Sequence, residues 1–574
     1  MAGIATPWVD GLTIGDVLRR TAETFPERDA VAFPWLLDQE RRLPADAAGD
    51  RRFRLSYRRF DAEVDRVARA LLALGIQKGE HVAVWATNWP RWVLLQYATA
   101  RVGAVMVTVN PAYRAAELAY VLKQSDAVAL FLVERFRSSD YFGMVSEAVP
   151  ELQHPRDLRK PLGCEAFPRL RHVVSMQADA ADGMWTWDDF LAEGAGIGDE
   201  QLAARAAQLQ PGDAINIQYT SGTTGFPKGA TLTHRNLLLN AFHIGACQQI
   251  TESDRICVPV PFYHCFGCVL GVLCCGVYGA AMVVPAEYFN AEATLAAIER
   301  ERATAVYGVP TMFIAQLEHP TFRNRDLSSL RTGIMAGSPC PIEVMKRVVD
   351  EMGAGEITIA YGLTEASPVI TQTRTDDPLE LRVSTVGRPI PDVEVKIVDP
   401  ETGRTLGDDR QGELCARGHV VMLGYYNMPE QTAAAIDADG WLHSGDLALR
   451  LPNGYYKITG RIKDMICRGG ENIYPREIEE FLFTHAKIED VAVFGVPDPK
   501  YVEEVAAWIK LKAGETATEE EVREFCRSHL AHFKVPKHIR FVTEFPQTVT
   551  GKIQKFRMRE LTAAELGLAE HATA

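Results

Sequence analysis

"YTSGTTGFPKGAT" (Tyr219–Thr231) sets hydroxyls, glycines and a single lysine in one short span. Glycines let a backbone approach a ligand closely, and Ser/Thr hydroxyls and backbone N–H groups donate to phosphate oxygens. Lys228 adds a compact positive charge. These are the parts of a polyphosphate cradle; a solvated glycine-rich turn is the other reading of such a stretch. It is not a Walker loop, which ends Gly-Lys-Ser/Thr, because Lys228 follows Pro227 and precedes Gly229. Just before it, "AINIQYTS" (Ala214–Ser221) reads as a strand that delivers the loop.

Outward from that strand the pattern repeats. "HVAVWA" (His81–Ala86), "GAVMVTVNP" (Gly103–Pro111) and "AVALFLV" (Ala127–Val133) are apolar strand runs separated by helical stretches. From Ser56, the positions Phe60, Val64, Val67, Leu71 and Leu74 share one helical face, with Ser56 as N-cap and Gly75 as the stop. Further strands are expected near Ala280–Pro285, Thr304–Val309, Gly333–Ala336 and Ile357–Tyr361. Such alternation predicts an α/β fold of mostly parallel sheets flanked by helices. The Pro-containing stretch Gln153–Leu170 reads as an irregular surface segment. After Val383 short alternating strands and turn dipeptides suit a small β-subdomain. From Ile462 onward the chain reads as a compact α+β domain. We therefore expect a large N-terminal domain over 1–462 and a small C-terminal domain over 463–574.

A chain of 574 residues is too long for one core. Its 47% hydrophobic and 24% charged residues are ordinary for a globular protein. The net charge of −14 argues against nucleic acid as the main partner, and leaves room for a local basic site for an anionic ligand. The N-terminal "MAGIATPWVDG" lacks the basic and apolar regions of a secretory signal. The uncharged run Cys265–Ala286 is long enough for a membrane span but holds four glycines and ends in a strand-like segment. We read it as a buried helix followed by a core strand, with no transmembrane segment. Eleven scattered cysteines make no disulfide framework and fit a reducing cytoplasm. Cys265 and Cys268 lack a second ligand pair and read as small core residues.

The loop is one of a series. In order follow "PFYHCFG" (Pro261–Gly267), "AGSPCP" (Ala336–Pro341), "YGLTEASP" (Tyr361–Pro368), "GELCARG" (Gly412–Gly418), "GWLHSGDLA" (Gly440–Ala448), "GRIKDMICRGGENIYPREIE" (Gly460–Glu479) and "TVTGKIQK" (Thr548–Lys555). This series resembles the acyl-adenylate-forming enzymes, which include acyl-CoA synthetases, peptide-synthetase adenylation domains and beetle luciferases. The likeness runs from about Leu55 to Lys555. "NPAYRAAELAYVLK", "RGGENIYPREIE" and "HFKVPKHI" look like the medium-chain fatty acyl-CoA synthetase branch.

The resemblance implies a set of roles. Thr220, Ser221, Gly222, Thr223, Thr224, Gly225, Phe226, Pro227 and Lys228 would form a mobile loop over the β- and γ-phosphates of ATP. Glu365 would help bind Mg²⁺, whose preferred ligands are hard oxygens, and Thr364 would touch the α-phosphate or the metal. Gly337, Ser338 and Pro339 would wall the adenine on one side, with Tyr361 stacking on the other beside Gly362. Asp446 would accept from two ribose hydroxyls, an N-cap being its structural alternative; Arg461 would also reach the ribose, or serve as an ion-pair partner. Lys552 would bridge the acid's carboxylate and the α-phosphate as charge shifts. His264 would border the acid pocket and the path of the thiol, a core histidine being the alternative. Arg468, Gly469 and Gly470 would meet the pantetheine arm of CoA, and Lys463 would be the hinge of a mobile C-terminal domain.

The implied partners are small molecules: a carboxylic acid, ATP and CoA, with homo-oligomerisation left open. The 22 residues after Lys552 contain no serine, so no carrier domain is expected there and free CoA is the simplest acceptor; a separate acyl carrier protein stays open. No Asp suited to an amino-acid ammonium stands near "YHCFG", and the segments Val309–Met312, Gly333–Gly337 and Gly362–Val369 are mostly apolar or small. A medium-chain fatty acid is the leading expectation. An aryl-acid or short thioether-acid CoA ligase is the alternative, and a non-catalytic nucleotide-binding paralogue is a third reading.

Overall fold

The computed structural model describes residues 7–37, 52–154, 156–220, 227–338, 340–468, 471–527, 529–548 and 553–568. The helix expected after Ser56 is Tyr57–Ala73, and its apolar stripe of Phe60, Val64, Val67 and Leu71 is buried. Fully burying such side chains contributes about 1.5–3 kcal/mol each. Ser56 holds the N-cap position but its side chain makes no capping bond. Instead the carbonyls of Arg28 and Pro26 accept from the N–H groups of Tyr57 and Arg58, at 2.9 and 3.0 Å. Tertiary structure thus satisfies donors that a helix start leaves open. At the other end Gly75 takes φ 74°, and Ile76 donates back to the Leu71 carbonyl.

Among the described residues a seven-stranded sheet runs Gly424–Tyr425, Lys228–Thr233, Ala214–Thr220, Val105–Thr108, His81–Trp85, Ala127–Leu132, His172–Ser175. Its last five strands are parallel, and its first two join antiparallel. A nine-stranded sheet has a parallel interior and antiparallel edges. The mostly parallel α/β architecture is therefore as expected. Strand Lys228–Thr233 was not anticipated: the loop returns as a hairpin, with Thr220 paired to Lys228 and Ile217 to Thr231.

The uncharged run begins as a π-helix, Phe266–Leu273, continues as Cys274–Tyr278, turns at Gly279 and ends in strand Ala281–Val283. Every residue of Phe266–Leu273 is buried, which is why the segment is apolar all round. A Cβ at Gly267 would stand 2.2 Å from the Pro261 carbonyl oxygen, so only glycine fits there. No helix among the described residues is long and apolar enough to cross a membrane. The 156–170 stretch is irregular, as expected, but not wholly at the surface. Leu162, Cys164, Phe167 and Leu170 are buried and tie it to the core.

Beyond Val383 a four-stranded antiparallel sheet runs Val393–Val398, Gly412–Gly418, Leu442–Arg450, Tyr456–Arg461. The last sheet contains Ile466–Arg468, Glu471–Ile473, Ile488–Asp498, Val502–Leu511 and His538–Phe541. The main apolar core reaches from Val9 to Tyr456, and separate cores begin at Ile466 and Ala492.

Candidate active site

The hairpin sets the base of the site. Pro227 is held by the Tyr120 hydroxyl, which donates to its carbonyl at 3.0 Å. Lys228 Nζ lies 5.1 Å from the centre of the Tyr425 ring, a cation–π placement. Tyr425 sits on the edge strand that pairs with Ala230, and its hydroxyl donates to Glu365 Oε1 at 2.7 Å. Burial and the Glu365 charge push the Tyr425 phenol far up, which keeps it a neutral donor. Glu365 is further tied by its carbonyl, which accepts from Met422 N at 2.9 Å. The structure thus brings Thr220, Lys228 and Glu365 to one place. Ser221, Gly222, Thr223, Thr224, Gly225 and Phe226 lie outside the described residues.

Glu365 and Thr364 occupy a short 3₁₀ turn, Thr364–Ala366, directly after strand Thr358–Gly362. Buried Thr364 meets the Cys265 thiol. Cys265 in turn donates to Gln218 Oε1 at 2.9 Å, and Gln218 Nε2 reaches Cys268 Sγ at 3.0 Å. The two cysteines are therefore core residues around a buried glutamine, as their sequence context implied. His264, half-buried, lies two residues before the π-helix: its carbonyl accepts from Gly267 N and Cys268 N, and its Nδ1 lies 3.3 Å from Phe266 N. One chain of contacts so links His264, Thr364 and the strand that feeds the loop.

A second cluster forms around Asp446. It is not an N-cap: it lies within strand Leu442–Arg450, opposite Arg461 on the neighbouring strand. Asp446 Oδ1 accepts from Arg461 Nε at 2.9 Å and Oδ2 from the Tyr361 hydroxyl at 2.8 Å. The Asp446 charge raises the pKa of Arg461 further, and burial, then Asp446, hold the Tyr361 phenol far up. Gly445, at φ 70°, turns the strand just before Asp446, and its N–H donates to Glu413 Oε1 at 2.9 Å. Tyr361 and Gly362 end their strand beside Gly337 and Ser338, which follow the adjacent parallel strand Thr332–Ala336. Ligands of open α/β sheets bind at such carboxyl ends. A Cβ at Gly362 would fall 1.8 Å from the Pro368 carbonyl oxygen, so glycine is required. Pro339 lies outside the described residues.

The remaining residues sit further along. Lys463 is in a 3₁₀ turn, Ile462–Asp464, that follows strand Tyr456–Arg461. Arg468 pairs with Glu504 and lies over the Tyr501 ring at 4.2 Å. It is held within the C-terminal sheet rather than among the Asp446 cluster. Gly469, Gly470 and Lys552 lie outside the described residues.

The family model for AMP-binding enzymes matches residues 18–426, and the model for the AMP-binding enzyme C-terminal domain matches 477–552. The chain belongs to the AMP-binding enzyme family. YngI of Bacillus subtilis (strain 168), a provisionally named acyl-CoA synthetase, is 49% identical over 97% of this chain and 98% of its own length. The human mitochondrial medium-chain acyl-CoA ligase ACSF2 is 40% identical over 99% and 90%. Among solved structures, the anthranilate CoA ligase AuaEII in complex with anthranoyl-AMP superposes with a TM-score of 0.81. It is 26% identical and covers 96% of this chain and 98% of its own.

Three members of these clusters were not singled out in the sequence. Gln218 carried a signal, since it and Asn216 are polar residues in a strand whose other interior positions are apolar. Tyr425 in "GYYNMP" and Glu413 in "GELCARG" carried none beyond their motifs, because their partners lie 60 and 32 positions away.

Proposed function

We propose that this AMP-binding family member is an ATP-dependent acyl-CoA synthetase acting on medium-chain carboxylic acids. In the first step a carboxylate oxygen bonds to the α-phosphorus of ATP, the bond to the β-phosphate bridge breaks, and pyrophosphate leaves. In the second the CoA thiol loses its proton, its sulfur bonds to the acyl carbon, and AMP departs. The observation that carries this reading is the Tyr361–Asp446–Arg461 cluster, joined along the short segment from Tyr361 to Glu365 to the Lys228–Tyr425–Glu365 group. One offers a carboxylate to ribose hydroxyls; the other offers a cation to phosphates and a carboxylate to Mg²⁺.

In this reading Thr220–Lys228 grip the β- and γ-phosphates. Gly337, Ser338, Pro339, Tyr361 and Gly362 hold the adenine, with Tyr361 oriented by its bond to Asp446. His264 borders the acid, Lys552 meets the reacting carboxylate and phosphate, and Arg468, Gly469 and Gly470 guide the pantetheine arm. The break between cores at Tyr456 and Ile466 supports domains 1–462 and 463–574 that rotate about Lys463.

The Glu365 carboxylate and Thr364 hydroxyl fit Mg²⁺, which takes oxygen ligands. When bound there the ion supplies neutralising charge to the phosphate oxygens. Glu365→Gln keeps shape and still accepts from Tyr425, but removes the negative charge. We expect the Mg²⁺ concentration for half-maximal pyrophosphate release to rise roughly tenfold, with the melting temperature unchanged. An unaltered Mg²⁺ titration removes Glu365 from this role.

The acid is tested by pyrophosphate release and thioester formation across linear and aryl acids. Each methylene removed below the optimum should lower kcat/KM about fourfold, since burying one contributes about 0.8 kcal/mol. Benzoate-type acids outperforming every linear acid would favour the second reading, an aryl-acid ligase, for which the likeness to AuaEII speaks.

A further inference from the structure

We propose that Glu413, Cys415 and His443 form a binding site for a zinc-class divalent cation, distinct from the Glu365 position. The three side chains stand on neighbouring strands of the four-stranded sheet, with Cys415 directly opposite His443. Their ligand atoms, Glu413 oxygen, Cys415 Sγ and a His443 ring nitrogen, all lie within 4.8 Å of one another. His443 Nδ1 is 3.5 Å from Cys415 Sγ and 2.8 Å from Glu413 Oε2. A tetrahedral site with bonds of ~2.0–2.3 Å separates its ligand atoms by roughly 3.3–3.8 Å. The cluster therefore needs only a small opening between His443 and Glu413 to admit an ion.

The surroundings are those of a built site. Asp437 Oδ2 lies 3.7 Å from His443 Nε2, the nitrogen turned away from the cluster. Asp437 is itself fixed, its Oδ1 accepting from Trp441 N at 2.8 Å and Asp439 N at 3.0 Å. A carboxylate hydrogen-bonded to the far nitrogen sets the tautomer and ring angle at most histidine-bound metals, and Asp437 would need to approach by about 0.5 Å to make that bond. On the other flank Glu413 Oε1 takes the Gly445 N–H, leaving Oε2 to face the cluster. Cys415 is fully buried, whereas the His443 side chain is 33% exposed, which gives an ion an entrance and a place for a water ligand. Burial, then the Glu413 charge, push the Cys415 thiol up to about 12, against the opposing charge of Lys396. An arriving cation would reverse that, releasing the thiol proton to solvent as the metal–sulfur bond forms.

The test uses the full chain with Cys467→Ser, because Cys467 is an exposed thiol. Titration with Co²⁺ should give one equivalent bound, tetrahedral visible bands and a thiolate-to-cobalt charge-transfer band, all displaced by Zn²⁺. Zn²⁺ should also raise the melting temperature. Cys415→Ser should abolish the charge-transfer band, and His443→Gln should weaken Co²⁺ binding tenfold or more. If Cys415→Ser does not fold, His443→Gln decides. Absence of the band, or a band and affinity unchanged in the variants, overturns the site and leaves the Glu413–His443 contact as a plain brace of the strand.

Discussion

Asp446→Ala lowers kcat/KM for ATP in pyrophosphate release by about 10²–10³-fold. The magnitude follows from the proposed ribose contact: two hydrogen bonds to a carboxylate are worth about 3–4 kcal/mol together. The structure adds a second loss. Asp446 holds the Tyr361 hydroxyl at 2.8 Å and Arg461 Nε at 2.9 Å, so its removal frees both neighbours at once. The stability cost is smaller, about 1–3 kcal/mol for a phenol left without its acceptor. Asp446→Asn retains an acceptor and the shape, and should fall between the two. A folded Asp446→Ala enzyme with kcat/KM for ATP within threefold of the parent would detach this cluster from the nucleotide.

Lys552→Ala separates the half-reactions. Acid-dependent pyrophosphate release should drop by roughly 10²–10³-fold or more, the cost of losing one charge-stabilising donor. Supplied acyl-adenylate plus CoA should still yield thioester. The flanks of Lys552 support a local effect. Gln547 and Ile553 pair as an antiparallel bridge, and Gln554 N donates to the Pro546 carbonyl at 2.8 Å. Both contacts are made by described residues on either side of 549–552, so the flanking segments have anchors of their own. Nearby Lys555 is already committed to Glu479, at 2.6 Å, and cannot stand in. Equal loss of both half-reactions would sink the assignment of Lys552 to adenylation.

The alternating architecture was legible because its strands are buried on both faces. His81–Trp85 and Ala127–Leu132 are buried at every position, so they read as continuous apolar runs. Strand Lys228–Thr233 was not legible, because its threonines and glycine also suit a loop and only pairing with Ala214–Thr220 decides. The N-cap at Ser56 was placed well but for the wrong reason, since distant carbonyls do the capping. At the candidate site the motifs named the residue types and their order, not their neighbours. Tyr361 meets Asp446 across 85 positions and Glu365 meets Tyr425 across 60. No local pattern encodes such distances; they follow from how the sheets stack the strand ends.

The pairing of Thr220 with Lys228 has a geometric consequence. The chain that leaves one partner must return to the other, so it is a tether whose two ends are anchored together. An extended chain spans at most ~3.3–3.6 Å per residue. A path from Thr220 to Lys228, whose ends share one strand end, can therefore project no more than about 14 Å from it. Any contact made by the residues in between is confined to a small hemisphere centred on that strand end. The direction in which the intervening segment can reach is thus inherited from the sheet that pairs its two ends.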